Sequence, residues 1–135
     1  MEILLKEKSS WASYDLTHFP NVKVVLGQKI NNDEEFEKFL DDWENLYKRN
    51  QDFTLQFDAT NVGYVSMKYC FKMRNSIRKI KTMYPRHLKE SYIRIDSKWV
   101  RYLLKLIFFL EKPVAPVHVY SGTLDENTRL TTYKP

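Results

Sequence analysis

Lys98, Arg101 and Lys105 recur three and four residues apart along a segment, 98–110, whose other residues are nearly all apolar. On a helix that spacing gathers the three cations into one narrow basic stripe. Trp99, Val100, Leu103, Leu104, Leu106, Ile107, Phe108, Phe109 and Leu110 then cover more than one face. A helix of this kind can lie on a membrane, gate an apolar pocket, or pack in a dimer. The chemistry on offer is binding: cations to meet an anion, and apolar surface to leave water. A sheet beneath the helix should take Trp99 or Val100, Leu103, Leu106 or Ile107, and Leu110. Leu104, Phe108 and Phe109 then point elsewhere. The expected contact set is Lys98, Trp99, Arg101, Leu104, Lys105, Phe108 and Phe109.

A second basic cluster, Lys68, Lys72, Arg78, Lys79 and Lys81, lies beside Tyr69, Phe71, Tyr84 and Arg86. Cations interleaved with aromatic rings can track a nucleic-acid strand, although no recognised nucleic-acid motif accompanies them. Catalytic patterns are not evident. His18, His87, His118 and the single Cys70 show no metal-ligand spacing. There is no nucleophile elbow, no phosphate loop and no dinucleotide fingerprint, and the chain has only 3 Gly to build one. No metal, cofactor or catalytic residue is therefore assigned. Asp58 and Asp96 each follow a strand-like segment, at the edge where α/β sites usually lie. Asp58 is expected to close its loop by accepting from backbone N–H groups.

Elements that could hold these residues are legible along most of the chain. Ile3-Leu4-Leu5, Ser10–Asp15 and Val22–Leu26 read as short strands. Asn32, followed three residues on by Glu35, opens a helix over 33–48 whose one apolar face is Phe36, Phe39, Leu40, Trp43, Leu46 and Tyr47. A strand over 53–58 leads to a basic helix over 66–83, capped by Ser66 and stopped by Pro85. Met67, Cys70, Met73 or Phe71, Ile77, Ile80 and Tyr84 should form its buried face. A strand over 91–95, the helix 98–110 capped by Asp96 or Ser97, and a strand over 115–120 complete the pattern. Strand–helix–strand repeats build a parallel sheet covered by helices.

The totals agree with one domain of 135 residues. A net charge of +5 hides a division. Residues 1–60 hold 7 Lys/Arg against 12 Asp/Glu, a net −5, whereas 68–105 hold 12 against 2, a net +10. Such a division can steer an anionic partner to one face. One cysteine excludes an internal disulfide and suits a reducing compartment. No signal peptide is read in the charged start Met1–Lys6, so the cytoplasm is the expected location. The longest apolar run without charge, Leu106–Leu110, is far short of the roughly 20 residues of a membrane span.

Three segments together resemble a family. They are Phe57-Asp58-Ala59-Thr60-Asn61-Val62, the helix end Met83-Tyr84-Pro85-Arg86-His87-Leu88, and Tyr92-Ile93-Arg94-Ile95-Asp96-Ser97-Lys98-Trp99-Val100. In order and content they resemble the CRAL-TRIO domains, which bind lipids of the phosphatidylinositol-transfer type. The resemblance covers about residues 53–121 and implies a lipid-binding role, with 98–110 in the place of an apolar gating helix. The small size is similar to that of STAS domains, in which a strand ends Asp-x-Ser and a Ser opens the next helix. Asp58-x-Thr60 and Ser66 occupy similar places, so phosphorylation of either residue is an open question.

The expected fold is thus α/β, a mostly parallel sheet flanked by helices, CRAL-TRIO/STAS-like. One domain should span 1–121, with a polar tail over 122–135. The expected function is non-enzymatic binding of an anionic lipid, a membrane surface or a protein through helix 98–110. The alternatives are a homo- or hetero-oligomeric interaction module and, more remotely, nucleic-acid binding through helix 66–83.

Overall fold

A computed structural model describes residues 11–122 and 126–135; the strand expected at Ile3-Leu4-Leu5 lies outside them. The strands are β1 (Ala12–Asp15), β2 (Asn21–Leu26), β3 (Phe53–Ala59), β4 (Leu88–Ile95), β5 (Val117–Ser121) and β6 (Arg129–Tyr133). The helices are α1 (Asp33–Leu46), α2 (Lys68–Lys81) and α3 (Lys98–Leu110). A short 3-10 turn, Tyr47–Arg49, prolongs α1.

Asn32 caps α1 by accepting from the Glu35 amide at 3.0 Å, and the Glu35 carboxylate accepts from the Asn31 amide at 2.8 Å. Asp33, Glu34 and Glu35 in the first turn complement the helix dipole. Ser97 caps α3 by accepting from Trp99 and Val100. α2 starts later than expected, at Lys68, because Ser66 and Met67 form a turn whose carbonyls accept from Tyr69 and Cys70.

The six strands lie in sequence order in one mixed sheet. β2, β3, β4 and β5 are mutually parallel, and β1 and β6 pair antiparallel at the edges. Each helix links one parallel strand to its immediate neighbour, always stepping the same way. With the near-universal right-handed crossover, such a march lays every helix on the same face. Burial agrees: Val22, Val24, Phe53, Leu55, Ser91, Ile93, Val117 and Val119 are buried beneath the helices. Their alternates Lys23, Thr54, Gln56, Tyr92, Arg94 and His118 are partly or fully exposed on the other side. The helices therefore flank the sheet on one side only.

Two expectations change. The tail is not simply an extension, since Arg129–Tyr133 adds β6 to the sheet beside β5. Its composition hid it: an edge strand is held by ladder bonds and by few apolar contacts, here chiefly Tyr133 against Phe108 with ring centres 4.8 Å apart. The buried face of α2 is also turned. Tyr69 is buried with Cys70, Ile77 and Ile80, while Met67, Phe71 and Tyr84 are exposed and Met73 is half-buried. Tyr69 wins its place because its ring packs on Phe36 at 4.7 Å and its hydroxyl donates to Asp33 at 2.8 Å. The face expected for α1 is buried as read, from Phe36 to Tyr47.

Ile80 is fully buried and Phe109 is 84% exposed. Ile80→Ala should therefore lower the unfolding free energy by about 2–5 kcal/mol, while Phe109→Ala should change it by less than about 0.5 kcal/mol. Urea unfolding of the two variants checks both values; similar losses would contradict the one-sided packing.

Candidate functional site

Five of the six cations of α2 face a carboxylate that neutralises them; the sixth, Arg74, lies over the Phe71 ring, 5.3 Å from its centre. Lys68 meets Asp33 at 3.0 Å, Lys72 meets Glu37 at 2.8 Å, and Lys79 meets Glu44 at 3.0 Å. All three pairs join residue i to residue i+35, because α1 and α2 run parallel, side by side, and present the same spacing. Arg78 and Lys81 both pair with Glu111, just past the end of α3. Each of the five cations read as a possible nucleic-acid surface thus has a carboxylate partner. The hydrogen bond to Asp33 raises the Lys68 pKa, and the one to Glu37 raises that of Lys72. The Asp33 carboxyl is held below its ordinary value by the hydrogen bonds from Lys68 and Tyr69, and that of Glu111 by Lys81 and Arg78.

α3 lies at the end of the helix layer, with α2 on one side and no helix on the other. Lys98, Arg101, Tyr102, Lys105 and Phe109 are exposed along its outer flank, the side opposite the buried Val100, Leu103 and Ile107. Among the described residues no carboxylate lies within ion-pair distance of Lys98, Arg101 or Lys105. At its amino end the flank continues into a ladder of rings. Tyr64 stacks on Trp99 with centres 5.7 Å apart, and Trp99 stacks on Tyr102 at 5.6 Å. The Trp99 indole N–H donates to the Val65 carbonyl at 3.0 Å, which fixes the middle ring. Tyr64 and Tyr102, 74% and 49% exposed, offer their outer faces to solvent.

Other residues of the expected contact set sit differently. Leu104 and Phe108 are half-buried and pack on the core, Phe108 under Tyr133. They help line an apolar cavity of about 150 Å³ between the helices and the sheet. That is the size of an engineered cavity that admits benzene. Of the seven residues expected to make contact, the exposed ones are therefore Lys98, Arg101, Lys105 and Phe109, with Trp99 as the partly covered rung. Tyr64 and Tyr102 were missed, the first because it stands alone in a loop and the second because Tyr among apolar residues reads as core.

The sequence reading also passed over the open face of the sheet. Lys23, Gln56, Tyr92, His118 and Thr132 stand in one register row across β2 to β6. Tyr92 stacks on His118 at 5.1 Å and its hydroxyl donates to Glu90, the first cause of a pKa pushed up to about 12. The signal was there in the polar half of each strand's alternation. Nearby, Asp58 accepts from the amide and hydroxyl of Thr60, at 3.1 and 2.6 Å, so it closes its own loop as expected, and Arg94 lies 3.7 Å away. Ser66 accepts a long bond of 3.5 Å from the Lys68 amide. The described histidines lie apart: His87 pairs with Asp52 at 3.1 Å, and His118 meets Thr132 at 3.1 Å. Among the described residues no group of three His, Cys, Asp or Glu gathers to hold a metal ion, and no helix is long and apolar enough to cross a membrane.

No family model matches the chain, and no curated protein and no solved structure matches it.

The ion ladder gives a pH dependence whose sign is fixed. Asp33 and Glu111 have folded pKa values below their unfolded ones. The stability they contribute is complete above the unfolded carboxylate range and is lost as pH falls through the folded values. The urea midpoint should stay level from about pH 7 to 5 and drop below about pH 4. A midpoint level down to about pH 2.5 would show that the ladder contributes nothing.

Proposed function

We propose that the protein is a non-enzymatic binding domain that docks the outer flank of α3 on an anionic membrane surface. The observation that carries this reading is the contrast between two basic helices. Five of the six cations of α2 are paired with carboxylates, Arg74 lying instead over the Phe71 ring, while Lys98, Arg101 and Lys105 of α3 have no carboxylate partner among the described residues and stand beside exposed Tyr102 and Phe109. Unpaired cations keep their field for a partner, and Tyr and Trp rings suit the boundary between headgroups and acyl chains. Phe109 supplies the apolar anchor. The arrangement is that of a surface contact, shallow and salt-sensitive.

Each cation near an anionic surface contributes about 1 kcal/mol, so the three together amount to about a hundredfold in affinity. The wild-type protein should sediment with vesicles containing about 30% phosphatidylserine and not with pure phosphatidylcholine. Lys98→Glu, Arg101→Glu and Lys105→Glu combined should lower the affinity about a hundredfold, whereas Lys72→Glu should change it little. Rising salt should release the protein. Failure to bind anionic vesicles at low salt would overturn the reading, and salt-insensitive self-association lost in Phe109→Asp would replace it with a dimer contact.

A further inference from the structure

α2 and the turn that opens it expose side chains that the ion ladder does not explain. Met67 and Phe71 are 40% and 43% exposed. Arg74 is the one cation of the helix with no carboxylate partner among the described residues. Its guanidinium lies over the Phe71 ring and donates to the Asn75 side-chain oxygen at 3.2 Å. Met67, Phe71 and Arg74 follow at spacings of four and three, so they form one row along the helix. That row lies on the side away from the buried Tyr69, Ile77 and Ile80.

α3 repeats the row. Lys98, Tyr102 and Lys105 follow at the same spacings, with the ring again second and the cation third, and Phe109 extends it by one more turn. The two rows are neighbours. α2 joins β3 to β4 and α3 joins β4 to β5, so the helices run the same way in adjacent places of one layer. Both ends are tied together. The Trp99 indole N–H donates to the Val65 carbonyl ahead of α2, and Glu111 past α3 takes Arg78 and Lys81 from the last turn of α2. At the spacing of packed helices, about 8–10 Å, both rows belong to one surface. Neither helix contains an Asp or a Glu. The surface therefore combines apolar side chains with cations and carries no helix carboxylate to repel an anion.

We propose that the helix layer docks flat, with the Met67, Phe71 and Arg74 row of α2 entering the same anionic bilayer as α3. The inference rests on the membrane reading above and extends it to a second helix. α2 gives its ladder cations to α1 and to Glu111, and its outer row to the bilayer. A planar anionic surface fits because it can span both rows at once, meet Arg74 with the α3 cations, and take Phe71 and Phe109 at the boundary of headgroups and acyl chains. The sheet then lies parallel to the bilayer with its open face outermost.

The test places a polarity-sensitive fluorophore on Met67→Cys and, separately, on Phe109→Cys, and titrates each with vesicles of about 30% phosphatidylserine. Both labels should brighten and shift to the blue, and salt should reverse both changes. Arg74→Glu should weaken vesicle binding at least about fivefold, whereas Lys72→Glu, on the α1 side of the same helix, should change it little. A response at 109 without one at 67 would overturn flat docking while leaving contact through α3 standing. No response at either site would overturn the membrane reading and this inference with it. A response at 67 that follows protein concentration without vesicles would make the row a contact between copies and overturn the proposal. So would unchanged affinity in Arg74→Glu.

Discussion

The chain winds in one direction. Four parallel strands lie in the order of the sequence, and right-handed crossovers between neighbours leave the helices no choice of side. They become a single layer, parallel to one another and in chain order. Much else depends on that layer. It sets acidic α1 beside basic α2, it turns the outer flank of α3 to solvent opposite the sheet, and it leaves the far face of the sheet with its polar alternates toward solvent.

Neighbourhood then decides what each charge does. Glu37 and Lys72 are far apart in sequence and belong to helices that would repel or attract partners on their own. Side by side at a constant offset they cancel, at 2.8 Å. Such exposed pairs contribute little to stability. Their greater effect is electrostatic: they offset five of the six cations of α2, all but Arg74, and leave Lys98, Arg101 and Lys105 as a basic stripe beside exposed rings. The same geometry explains Tyr69, which is drawn into the α1–α2 seam by Phe36 and Asp33 at the expense of Met67.

Much of this was legible in the residues. The α1 face from Phe36 to Tyr47, the cap at Asn32 and the succession of strands and helices follow from periodicity alone. The i+35 pairs were legible only in part. Asp33, Glu37 and Glu44 share the spacing of Lys68, Lys72 and Lys79, but a spacing becomes a contact only when the helices are known to be adjacent. β6 escaped because Arg129–Tyr133 carries too little apolar surface to announce a strand. Leu104 and Phe108 looked free because the periodicity of α3 does not reveal the cover that Tyr133 supplies from the tail.

The central claim, that the outer flank of α3 is the surface that meets an anionic membrane, is tested most directly with a fluorophore sensitive to polarity. The only native thiol, Cys70, is buried, so Phe109→Cys and Gln56→Cys can each be labelled, one on the α3 flank and one on the open face of the sheet. With phosphatidylserine vesicles, the label at 109 should brighten and shift to the blue, the label at 56 should not change, and salt should reverse the effect. No change at 109, or an equal change at 56, would contradict the claim.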